Sequence, residues 1–201
     1  MVDEVRERVI RAHFRDLRKR SELLPELHHR GYTSEAMMIA CCYIEAAGKK
    51  LLPAQSGNKE RFVRAVIEYG GVGPLALVHP KQLVESLPSK CRREASEVLS
   101  PRQGSLLGIE EARDLLSGAV HDEWLDRNLW RGTLAAIAYE LIRNQAIHSG
   151  RAVPITFDET RHEGKPLPPI DFDALYSTLG SVLEGVEAHC LSRPETFDPL
   201  K

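Results

Sequence analysis

Eight consecutive residues, 132–139, carry no charge, and they sit inside 121–148, a span that reads as one long helix. Trp130, Leu134, Ile137, Leu141 and His148 recur at helical steps along one side of it, and Leu125, Leu129, Ala136 and Ile147 along another. A helix that is apolar nearly all round must be packed from several sides, which calls for other helices as neighbours. Gly132 lowers helix propensity and so marks a close contact; Gly150 supplies the stop. The spacing predicts an all-α bundle built round a central helix over 121–148.

The flanking sequence provides the neighbours. Residues 2–28 place Val5, Val9, Ile10, Phe14, Leu17 and Leu24 in a broken apolar stripe, with Pro25 as the break or kink. After a turn at Gly31-Tyr32-Thr33, Ser34 is a candidate N-cap for a buried helix to about Lys50, with Met37, Met38, Ala40, Cys41, Ile44 and Ala47 inside. Asn58 opens another helix with Phe62, Val63, Val66 and Ile67 on its apolar face, closed by Gly70-Gly71-Val72-Gly73-Pro74. Those glycines follow a helix rather than a strand and lack G-x-x-x-x-G-K-[ST], so they do not read as a phosphate loop. Residues 70–120 read as an irregular, insertion-like region with short helices at 81–87, 90–99 and 110–117 and strands that the pattern does not define. Beyond Gly150, residues 152–170 predict a small β-hairpin or two extended segments, held to an edge pair by their prolines. Asp171 caps a last helix with Phe172, Leu175, Leu179, Val182, Leu183 and Val186 at helical spacing, and 194–201 is a tail. A chain of 201 residues with this pattern is expected to form a single helical domain.

Charge excludes a broad nucleic-acid footprint, because 27 basic and 29 acidic residues leave a net charge of -2. The strongest local patch is Arg6, Arg8, Arg11, Arg15, Arg18, Lys19 and Arg20. Asp3, Glu4, Glu7 and Asp16 are interleaved with it, so it is either an RNA contact or a solvated helix face. No apolar run approaches the ~20 residues that span a bilayer. The charged N-terminus does not read as a signal peptide, so a cytoplasmic protein without membrane attachment is expected. Cys41, Cys42, Cys91 and Cys190 form no C-x-x-C pair and read as reduced thiols. No metal site and no cofactor are expected. Tyr69, His79 and His121 have no recognisable partners and read as structural.

The chemistry lies at the end of the central span, in Arg143-Asn144-Gln145-Ala146-Ile147-His148 followed by Ser149-Gly150. Arg grips a phosphate through two parallel hydrogen bonds, and His exchanges a proton near neutral pH. On a helix, positions five apart are about 140° round and about 7.5 Å along, a gap that a long Arg side chain spans. Asn144 and His148, four apart, share a face. Glu140 is spaced to pair with Arg143, and Ser149 with Gly150 brings His148 to the helix end. Spacing alone is weak evidence, since about one Arg-x4-His pair is expected by chance in a chain of this composition. A second one exists at Arg8 and His13, without the Asn. The competing reading makes His148 a core histidine and Arg143 an ion-pair partner of Glu140 at a helix C-terminus.

Glu140-Leu141-Ile142-Arg143-Asn144-Gln145-Ala146-Ile147-His148-Ser149-Gly150 resembles the signature of the HEPN superfamily: an Arg, commonly followed by a polar residue, then a His late in a long helix of an α-helical bundle. The helix from Ser34 with Cys42-Tyr43-Ile44-Glu45-Ala46 and the 58–69 helix also look like larger HEPN proteins. The resemblance implies metal-independent RNA cleavage to a 2′,3′-cyclic phosphate, with His148 as general acid or base, Arg143 stabilising the phosphate, Asn144 supporting geometry, and Glu140 and Ser149 alongside. It implies a homodimer whose interface includes 143–148, in phage defence or a toxin–antitoxin pair with a cognate antitoxin or regulatory protein. The alternative it leaves open is a non-catalytic HEPN-like module that binds RNA, a nucleotide or a protein partner.

Overall fold

The structure is a computed structural model. It describes residues 2–52, 56–71, 73–149, 161–162, 165–166, 169–193 and 197, with side chains described outside 2–3, 143–149, 161–162 and 165–166. The fold is all-α. Ten helices are described: α1 (Val2–Ser21), α2 (Leu24–His29), α3 (Thr33–Gly48), α4 (Asn58–Tyr69), α5 (Pro80–Ser86), α6 (Ser89–Leu99), α7 (Ile109–Leu116), α8 (Asp122–Asn128), α9 (Leu134–Ser149) and α10 (Phe172–Ser192). Two-residue strands β1 (Arg161–His162) and β2 (Lys165–Pro166) pair antiparallel, within the region expected to form a hairpin; 152–157 lie outside the described residues.

The helix α3 sits at the centre, packed against α10, α4, α2 and α9. Its sequence explains why. Ala36, Ala40, Ala47 and Gly48 are small, and with Met37 and Ile44 they are buried, so neighbouring backbones approach closely. A Cβ added at Gly48 would lie 2.3 Å from the Arg61 carbonyl oxygen, so the α3–α4 crossing requires glycine there. Side chains such as Phe14, Phe62 and Leu179 fill the space around α3, each contributing roughly 1.5–3 kcal/mol by leaving water. Asp171 caps α10 as expected: its Oδ1 accepts from the Ala174 amide at 2.9 Å. The expected caps at Ser34 and Asn58 are not formed; Tyr32 and Gly57 hold those positions, with no side-chain cap bond.

The long helix expected over 121–148 is broken. α8 ends at Asn128, a 3-10 turn covers Leu129–Gly132, and α9 starts afresh at Leu134. The physical reason is Thr133. Its backbone is extended (φ -74°, ψ 155°), its hydroxyl donates to the Trp130 carbonyl at 2.8 Å, and its Oγ1 accepts from the Ala136 amide at 3.3 Å. Thr133 is thus an N-cap at the second residue of the charge-free stretch. Trp130 therefore belongs to the turn and not to the α9 stripe. Leu141, expected inside, is 36% exposed.

Residues 78–129 are more ordered than an irregular insertion. α5–α8 enclose a second apolar cluster of Val78, Leu83, Leu99, Leu116, Leu125 and their neighbours. Val78 stitches the two parts together, exchanging backbone hydrogen bonds with Leu107 at 2.9 and 3.0 Å and forming a second antiparallel bridge with Thr133. Next to it, the His79 amide donates to the Gly132 carbonyl and the Leu134 amide to the Leu77 carbonyl, both at 2.8 Å. Gly132 does mark a close approach: a Cβ there would meet Leu83 Cβ at 2.7 Å.

Candidate functional site

Arg143, Asn144, His148 and Ser149 all lie on the last three turns of α9, whose backbone is continuous through Ser149. Their side chains fall outside the described residues, as does Gly150. The two turns before them show how the segment is held. Tyr139 packs its ring on Phe62 with centroids 5.1 Å apart and donates its hydroxyl to Glu45 Oε1 at 2.6 Å. Ile142 is buried. Glu140 forms an ion pair with Lys59 of α4, where the sequence suggested a local partner in Arg143. α4 brings Lys59 level with Glu140; the side chain of Arg143, the partner that the spacing suggests, lies outside the described residues. The outer side of the same turn is open, with Glu140 and Leu141 exposed.

The second Arg-x4-His pair behaves differently. Arg8 bends its Nε towards the Glu4 carbonyl of its own helix at 3.4 Å. His13 lies half-buried, edge-on to Phe14 and to Phe197. Its Nε2 is buried without a hydrogen-bond partner, and burial, with Lys50 nearby, pushes its pKa below the usual histidine value. Three further arginines of the basic stretch of α1 are tied to carboxylates: Arg20 to Asp16 at 2.9 Å, Arg11 to Glu7 at 4.0 Å, and Arg18 to Glu187 of α10 at 2.5 Å. The solvated-face reading therefore describes α1 better than an RNA patch.

Other imidazoles have structural work. His28 Nδ1 is 2.9 Å from Thr33 Oγ1, and its ring stacks on Phe172. His29 Nδ1 donates to the Pro25 carbonyl at 3.1 Å. His79 caps α5 by accepting from the Gln82 amide, and burial lowers its pKa. Tyr69 and His189, 120 residues apart, meet at 2.8 Å, with Gly185 leaving room for the Tyr69 ring. No pattern of spacing signals that pair, because the contact is made by the packing of α4 on α10. His121 is the N-cap residue of α8 without a side-chain cap bond.

No family model, curated protein or solved structure matches this chain. Among the described residues no group of three or more His, Cys, Asp or Glu side chains is placed to hold a metal ion, and no helix is long and apolar enough to cross a membrane. Cys41 and Cys190 are buried, Cys91 is half-buried and Cys42 exposed, none of them in a disulfide among the described residues; burial raises the Cys190 pKa to about 11.

Proposed function

We propose that the protein is a metal-independent endoribonuclease with a HEPN-type bundle, acting through Arg143, Asn144 and His148. The observation that carries this reading is the placement of Arg143-Asn144-x3-His148 on the closing turns of α9. That helix is anchored on its inner side by Tyr139 and Ile142 and exposed on its outer side at Glu140 and Leu141. The contrast with Arg8 and His13, where the imidazole is wedged between aromatic rings, supports it further.

In this reading His148 takes the proton from a ribose 2′-hydroxyl. The freed oxygen attacks the adjacent phosphorus, and the 5′-oxygen leaves and gains a proton. Arg143 holds the non-bridging oxygens as charge accumulates on them, and Asn144, one turn before His148, orients the imidazole. The products are a 2′,3′-cyclic phosphate and a 5′-hydroxyl, and two chains pair through 143–148 so that two copies of the motif face one RNA. The resemblance, rather than the geometry, is what points to phage defence or a toxin–antitoxin pair.

The test is RNA cleavage in EDTA by the full chain. Wild-type protein should cleave and leave 5′-hydroxyl ends that a polynucleotide kinase labels directly. Arg143→Ala and His148→Ala should each lose at least about a hundredfold in rate, in line with the usual worth of a general acid–base group, with unchanged circular dichroism. Intact RNA after incubation with wild-type protein, across several RNA classes, would sink the proposal in favour of a non-catalytic binding module.

A further inference from the structure

A cleft of about 290 Å³ opens between α4 and the α7–α8 pair, where the two apolar clusters meet. Its walls are Ile67, Ile109, Leu129 and Trp130, and its polar groups are Arg64, Arg113, Glu110 and Asp126. The cleft is independent of the 143–148 segment.

Arg64 is the unusual member. Half-buried arginines are normally matched by a carboxylate, yet Arg64 forms no ion pair among the described residues. Its Nη2 donates one long bond, 3.4 Å, to the Asp126 backbone carbonyl, and its Nε is buried without a hydrogen-bond partner. Nε and Nη2 form the edge with which a guanidinium grips an oxyanion through two parallel bonds. The carboxylate of Asp126, which lines the same cleft, is engaged by Arg113 Nη2 at 2.6 Å. Trp130 cannot serve as a donor in the cleft, because its indole N–H is already donated to the Arg127 carbonyl at 2.9 Å; it contributes an apolar wall.

We infer that this cleft binds a small oxyanion carried on an aromatic or compact apolar body, the anion on the Nε–Nη2 edge of Arg64 and the body against Ile67, Ile109 and Trp130. The volume lies near the lower end of small-molecule sites, about 300–1,000 Å³, enough for one ring and its anionic group. A polyanion such as an RNA strand is disfavoured. The flanking helices α7 and α8 carry Glu110, Glu111, Asp114, Asp122, Glu123 and Asp126 against Arg113 and Arg127 alone, and that field repels an extended chain of phosphates. A single oxyanion inside the cleft meets Arg64 directly, with Asp126 neutralised by Arg113.

Calorimetric titration of the full chain with phenyl phosphate, benzoate and inorganic phosphate tests this. Phenyl phosphate or benzoate should bind saturably at millimolar concentration or below, and inorganic phosphate at least tenfold more weakly because it lacks the body. Tighter phenyl phosphate identifies a phosphate ester as the ligand class, and tighter benzoate a carboxylate. Arg64→Met should weaken the better ligand at least tenfold, and Arg64→Lys, which keeps the charge but loses the fork, several-fold. Absence of saturable binding by both ring compounds, or wild-type affinity in Arg64→Met, would overturn the proposal. Should Arg64→Met fail to fold, unchanged affinity in Arg64→Lys would do the same.

Discussion

Single residues decide where this chain departs from its own pattern. Gly132 and Thr133 sit side by side in a stretch whose hydrophobicity argues for uninterrupted helix. Gly132 admits Leu83, and Thr133 starts a new helix with its own hydroxyl. The Thr before an apolar run was a visible N-cap signal, but a periodicity that continues across both residues masks it. Gly132 signals a close contact, but nothing local names Leu83, 49 positions away, as the partner. His13 illustrates a residue whose environment sets its behaviour. Its folded-state pKa is depressed by burial and by Lys50, with Asp16 opposing. The unfolded chain therefore takes up a proton at higher pH than the folded chain does, and the folded state loses ground as pH falls through about 6.5. His13→Phe should remove that share of the acid sensitivity. Denaturant unfolding of both proteins between neutral and mildly acidic pH should show a shallower loss of stability in the variant; parallel curves would contradict the assignment.

At the scale of elements, amphipathic periodicity located the helices well, and capping chemistry fixed only some of their ends. Asp171 was identified and does cap α10, because its carboxylate is placed before a helix whose inner face, Leu175, Leu179, Val182 and Val186, is already committed to the core. Asp171→Ala should destabilise the protein by about 1 kcal/mol, read as a shift of the urea midpoint with an unchanged slope. Ser34 carried the same signal and does not cap, since α3 begins one residue earlier, at Thr33. Among the described strands, β1 and β2 are only two residues long, within a region whose prolines limit pairing. The motif at 143–148 was readable as a string on a helix, and the backbone there is helical. What its spacing could not supply is the outer frame: Lys59 paired with Glu140, and Tyr139 bonded to Glu45.

Across the whole molecule, the division of the core is the feature least visible in the sequence. Short helices between 80 and 117 were recognisable, but their packing into a separate cluster depends on Val78 pairing with both Leu107 and Thr133, contacts that only the folded chain brings together. The second cluster is the smaller, eleven buried apolar residues against thirty-two among those described, so it should open first. Native-state hydrogen exchange should find the amides of α6–α8 less protected than those of α3 and α10. Leu116→Ala, at a fully buried position, should cost about 2–5 kcal/mol and widen that difference. Equal protection throughout would mean that the two clusters unfold as one.

The stitching at Val78 has a mechanical consequence. It clamps the first residue of α9 to the smaller cluster, while the proposed chemistry rides at the opposite end, about 22 Å away at 1.5 Å per residue. α9 is held again part-way along, by Tyr139 on Glu45 and Phe62; where that anchor yields, a tilt of about 3° at the base moves the tip by about 1 Å. Misplacement on that scale is enough to change a reaction rate by about a hundredfold. A shift of the seam between the clusters therefore reaches the proposed site only past the Tyr139 anchor.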